Sequence, residues 1–414
     1  MSKLFLGTEK VSDVITIKNF KTLNATPTTS LQVFQEGAYT PVNISAVTAA
    51  IDENIKADNI KKDVTILGVT GNVERVEGIR REVSAQGKIQ LPSGSLTFSF
   101  PSGVTDIGNY AMYYALFGRG GLTGSIDLSS LTNISGEYAI SIAFGSCPQI
   151  SSVDLSSLID VSGNYAMSET FESCAGITSI NLSNLTHVSG NYAMYETFHR
   201  CNKLTSVDLS SLIDVSGDHA MESAFSGCTS VTSVDLSSLT IAGKHTSSTK
   251  TGECAMNYAF YGCTNLATVD LSSLTTIYAS SAMAHTFQDC TSLTSIDLSS
   301  LITINNYNGM GYAFSGCTSL SAVDLSNLTG VYSSRALQYT FRNCTSLTSI
   351  SFPRLNSSSF SSQSNQFNLM LSGVTGCTVH FPSNLQSVIG SWSDVLNGFG
   401  GINTTVLFDL PATT

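Results

Sequence analysis

The chemistry in this chain is concentrated in carboxylates set at a fixed interval. Asp127, Asp154, Asp208, Asp235, Asp270, Asp297 and Asp324, with Asn181 completing the series, each open the phrase D-L-S-S-L or a close variant of it. If the fold stacks them in one column, they repel one another and titrate as a coupled set. Such a column offers oxygen ligands to a hard cation, Ca2+ above all, or acceptors to sugar hydroxyls. The alternative is a solvated ladder in which the flanking Ser and Thr hydroxyls satisfy the carboxylates. These seven aspartates are the candidate metal positions, and Ca2+ is the one cofactor the sequence leaves open.

Cysteine forms a second series. Cys147, Cys174, Cys201, Cys228, Cys263, Cys290, Cys317 and Cys344 share one repeat position, while Cys254 and Cys377 fall outside it. There is no CxxC pair of the kind zinc sites use, so the column reads as a small hydrophobe on a buried face. Nucleophile and cofactor motifs are missing as well. No GxxxxGK[ST] phosphate loop, HExxH zinc helix or GxSxG elbow occurs, and the six histidines contain no i, i+4 pair. A non-enzymatic protein is expected. Paired glycosidase-like carboxylates, whose separation is spatial, keep a polysaccharide-degrading enzyme as an alternative.

These columns need elements that repeat. The second leucine of the aspartate phrase recurs at Leu131, Leu158, Leu185, Leu212, Leu239, Leu274, Leu301, Leu328 and Leu355. Every step is 27 residues except the 35 between Leu239 and Leu274, which places an eight-residue insertion in the polar run from Gly243 to Thr251. A fixed period of this size predicts a solenoid. Within one copy, Val207 and Leu209 alternate with polar residues, the pattern of a short strand with one buried face. Met221, Phe225 and Cys228 follow at i, i+4 and i+7, which predicts a short helix. The expected fold is thus an α/β solenoid, a short parallel strand plus a short helix per repeat.

The strand phrase LTSVDLSSL and the turn phrase from Tyr192-Ala193-Met194 to Phe198 and Cys201 resemble the BspA-like leucine-rich repeats of bacterial surface proteins. The resemblance runs over roughly residues 95–378. It implies adhesion or recognition rather than catalysis. The chain departs from that family in its longer period and its scarcity of prolines after the strand.

Residues 1–83 differ in composition. They carry ten acidic and ten basic side chains, so nearly all of the net charge of −11 sits in the repeats. ADNIKKDVTILGVTGNV and the opening LFLGTEKV resemble segments of bacteriophage tail-fibre and baseplate-associated proteins. This implies an attachment domain at 1–83 that contacts other virion tail proteins, a capped solenoid at 84–378 and a carboxy-terminal cap at 379–414. Ile44, Val47, Ile51 and Ile55 predict a short amphipathic helix in the first segment, and Trp392, Val395, Leu396 and Phe399 are expected to cover the far end. No apolar run suits a signal peptide or a membrane span. The acidic repeats exclude nucleic acid as a partner.

Recognition positions are those that vary between otherwise constant repeats. Tyr113, Tyr114, Tyr195, Glu196, His199, Arg200, Tyr258, His285, Tyr312, Tyr339 and Arg342 form this set. Tyrosines among acids and amides suit a glycan or protein surface. The expected function is receptor binding on a bacterial envelope, as part of a phage tail made in the host cytoplasm and carried on the virion. A bacterial cell-surface adhesin is the alternative, and a homo-oligomer stays open.

Overall fold

The computed structural model describes residues 104–243, 253–360, 365–389 and 399–413, together with the strands Ile15–Lys18, Tyr39–Val42, Phe98–Ser99, His245–Thr246 and Thr249–Lys250. The expected helix at Ile44–Ile55 and the residues Trp392, Val395 and Leu396 lie outside the described residues. The repeats form a parallel β-solenoid of about ten turns.

Each turn begins with the predicted strand. Ser206–Asp208 pairs in parallel with Ser233–Asp235, which pairs with Thr268–Asp270, every residue opposite its counterpart one repeat away. Val207 and Val234 point inward while the serines and aspartates on either side face solvent, as the period-2 pattern requires. A second, two-residue strand follows in each turn. Seven of these, from Asp160–Val161 to Gly330–Val331, form a continuous parallel sheet. The first ladder begins at Phe98–Ser99, paired with Ile126 and Asp127. At the other end Thr378–Pro382 pairs onward with Thr405–Leu410. The inserted residues carry an antiparallel hairpin, His245–Thr246 with Thr249–Lys250, and the regular register resumes beyond it.

The predicted helix does not form. Among the described residues the α-helix is confined to Gln386–Ile389. In its place each repeat carries a ribbon of turns with a left-handed residue at every fourth position, for example His219, Ser223 and Gly227. Hydrogen bonding alternates strictly along it. The N–H groups of Met221, Ser223 and Phe225 donate to Ala255, Asn257 and Ala259 of the next rung, at 2.8 to 2.9 Å. Those of Glu222 and Ala224 donate backward to His219 and Met221, both at 3.2 Å. A helix is about 10 Å wide, whereas rungs stack at about 4.8 Å. A turn ribbon keeps the strand spacing on every side and lends half its donors to the neighbouring rung. Its four-residue period still places Met221 and Phe225 on one face, which is why the sequence reads like a helix.

The core follows the columns. Leu209, Leu212, Val215, Met221, Phe225 and Cys228 are fully buried, and their equivalents repeat from rung to rung. The phenylalanines stack in one run from Phe144 to Phe341, with ring centroids 5.2 to 5.8 Å apart. Buried threonines are satisfied across rungs; Thr197 Oγ1 donates to the Met167 carbonyl at 2.8 Å.

Candidate functional site

The aspartate column stacks in register, Asp127 beside Asp154 and Asp235 beside Asp270. Each carboxylate is engaged locally. Oδ1 of Asp208, Asp235 and Asp324 accepts the backbone N–H of the serine two residues on, at 3.0, 2.9 and 2.8 Å. Asp127, Asp154, Asp270 and Asp297 make the same bond, as does Asn181 at 3.2 Å. The aspartates therefore close the turn that follows each strand. The hydroxyl and N–H of Ser299 hold the carboxyl of Asp297 below its usual range.

The turn ribbon presents a different surface. Its first left-handed column places Tyr110, Tyr138, Tyr165, Tyr192 and His219 one above another, with ring centroids 5.1, 4.7, 4.7 and 4.5 Å apart. Their faces are spent on one another, so the ladder offers the edges and phenol oxygens of its rings. The next column takes over farther along: Tyr258, His285, Tyr312 and Tyr339 stack at 4.3 to 4.6 Å. Arg342 lies over the ring of Tyr339.

Beside the first ladder is a slot of about 390 Å³, lined by Tyr113, Tyr138, Ser141, Ile142, Tyr165, Ser168, Glu169, Tyr192, Tyr195 and Glu222. One repeat position explains it. That position reads Tyr113, Ser141, Ser168, Tyr195 and Glu222 along the solenoid. Two consecutive serines leave a gap two rungs wide. Tyr113 stands at one end, its ring turned 70° to that of Tyr138, and Tyr195 at the other, turned 64° to Tyr192. Burial raises the phenol pKa of Tyr138 and Tyr192, with the neighbouring tyrosines adding to it. Burial, then the charges of Glu196 and Glu172, also raises the carboxyl of Glu169.

A family model described as a BspA type leucine rich repeat region matches residues 93–220, 141–250, 170–308 and 246–366, well over half of the chain. The chain belongs to the BspA-type leucine-rich-repeat family. A leucine-rich repeat protein of T. pallidum is similar at 20% identity, over 48% of this chain and 78% of its own, with a TM-score of 0.33. One from Bacteroides ovatus is similar at 20% over 77% and 97%, with a TM-score of 0.29. A leucine rich cell surface protein from Faecalibacterium prausnitzii is similar at 17% over 76% and 92%, with a TM-score of 0.25. No curated protein matches the chain. Among the described residues no helix is long and apolar enough to cross a membrane.

The predicted recognition residues thus divide in this BspA-type solenoid. Tyr113 and Tyr195 line the slot, and Tyr114 packs edge-on against Tyr113. Glu196 and His199 lie half-buried beside it, with Arg200 exposed. Tyr258, His285, Tyr312 and Tyr339 form the second ladder, with Arg342 over its last ring, and this ladder begins one rung beyond Glu222. The aspartate column lies on the strands and contributes nothing to the slot. Sequence reasoning missed Tyr138, Tyr165, Tyr192, Glu169 and Glu222 as site residues. The signal was present in the run of tyrosines that breaks off at His219, but without the ribbon geometry nothing joined it to the serine gap.

Proposed function

We propose that this chain is a non-enzymatic adhesion and recognition protein, displayed on a bacterial cell surface, that holds an uncharged, hydroxyl-rich glycan in the slot between Tyr113 and Tyr195. The observation that carries the reading is the slot itself, where Ser141 and Ser168 stand between Tyr113 and Tyr195 in one column. This gap is bordered by groups suited to sugars. Phenol oxygens repeat at the 4.7 Å step of the ladder, and Glu169 and Glu222 add acceptors. The spacing is a poor match to an extended peptide, whose residues advance about 3.3 Å. The carboxylates disfavour acidic sugars by like-charge repulsion. Membership of a repeat family common on bacterial surfaces supports the location.

The test is binding of the full chain to an array of bacterial and host glycans, with a Ser168→Tyr variant that fills the gap. Saturable binding to neutral glycans that the variant loses is the expected result. Equal binding by both proteins would remove the slot from the reading. The amino-terminal phrases support a second reading, in which the same surface serves a phage tail. Recovery of the protein in purified particles, rather than on cells, would favour it.

A further inference from the structure

Glu172, Glu196 and His199 converge from two adjacent rungs. Nδ1 of His199 lies 3.5 Å from Oε2 of Glu196 on its own rung and 3.9 Å from Oε1 of Glu172 directly one repeat below. Glu169 stands one repeat below Glu196, so four potential ligands occupy two columns on two rungs. The rungs on either side carry Ile142 with Gly145, and Ser223 with Ser226, in these columns. The constellation is therefore a local break in the repeat rather than a property of it.

Two observations point to a ligand. His199 Nδ1 is sealed from solvent and has no hydrogen-bond partner. It faces two carboxylates at 3.5 and 3.9 Å, ion-pair distances longer than a close hydrogen bond. Three carboxylates also gather against one guanidinium, that of Arg200, whose charge reaches Glu196. A dication balances the remainder. Ligand atoms held at about 2.0–2.2 Å around one ion stand roughly 3–3.5 Å apart, slightly closer than these. An imidazole nitrogen with carboxylate oxygens favours a transition metal over Ca2+ or Mg2+, which take oxygen alone.

We propose that Glu172, Glu196 and His199, with Glu169 as a fourth ligand, bind one divalent transition metal ion of the Zn2+ class. Glu169 also lines the slot, so the ion would tie two rungs together at its border. The site does not depend on the glycan reading.

The experiment uses the full chain stripped with EDTA and titrated with Zn2+ by calorimetry and with Co2+ by absorption. One equivalent of Zn2+ is expected, with a Co2+ spectrum free of the thiolate charge-transfer band. His199→Gln and Glu172→Gln should each weaken binding at least tenfold while leaving the thermal transition in EDTA unchanged, and Asp208→Asn should bind as the parent does. Absence of Zn2+ binding, binding that neither variant weakens, or a thiolate band would each overturn the proposal. If His199→Gln alone fails to fold, Glu172→Gln, at a half-buried position, decides between these outcomes.

Discussion

The sulfur of Cys174 lies 3.1 Å from the carbonyl oxygen of Phe144, thirty residues earlier and one rung below. All eight column cysteines make this bond, at 3.1 to 3.3 Å. The thiol is a donor here as well as a small hydrophobe, and every cysteine of the chain is free. Serine would present a harder oxygen to the same apolar surroundings and alanine would remove the carbonyl's partner from the next rung, which accounts for cysteine in eight successive rungs.

Thiol reactivity follows from this burial. The eight column thiols are fully buried and Cys254 is half-exposed. Ellman's reagent should label no more than about one thiol in the native chain, Cys254, and all ten after unfolding. Rapid native labelling of several thiols would show that the rungs open.

Stability should fall steeply in alkali. Burial pushes the thiols of Cys174, Cys228 and Cys344 up to about 12 from 9.0. Thiols in the unfolded chain ionise near 9 while the folded ones keep their protons, so the unfolded state binds fewer protons above that pH. The stabilisation is complete below pH 9 and is lost as pH rises from 9 through 12, by about 1.4 kcal/mol per pH unit for each such thiol. Chemical denaturation at pH 8, 9.5 and 10.5 checks the slope, and a flat profile would refute the assignment.

The aspartate column separates charge from geometry. Replacing Asp208, Asp235 and Asp270 together with Asn should leave the thermal transition intact or raise it, since Asn keeps the Oδ1 acceptor and removes repulsion. Asn181 already serves this role, accepting from Ser183 N–H at 3.2 Å. The corresponding Ala triple variant should lose about 0.5–1.5 kcal/mol per site. Equal loss in both triples would mean that the charge itself stabilises the fold.

Close approach constrains a column of glycines, Gly136, Gly163, Gly190 and Gly217. A Cβ on Gly190 would run into the backbone carbonyl of Gly163 on the rung below, and backbone cannot swing aside as a side chain does. Gly190→Ala should destabilise by about 1–3 kcal/mol, the usual range for overpacking. Calorimetry measures it, and a neutral variant would show that the rungs can separate locally.

Much of this protein was written in its sequence. The 27-residue period, the inward Val207 and Leu209, the buried phenylalanine and cysteine columns and the place of the insertion are all consequences of composition repeating at a fixed interval. A repeat must bury the same face in every copy, so side-chain type reports burial directly. The turn ribbon was not legible. Met221 and Phe225, four apart, fit a helix and a four-residue turn equally well. Only the rung spacing, set by hydrogen bonds between residues 26 to 30 positions apart, or eight more across the insertion, decides between them. The slot and the Glu172–His199 pair were hidden for the same reason. Each joins side chains that are distant along the chain and adjacent only once the rungs stack, and no local pattern encodes that contact.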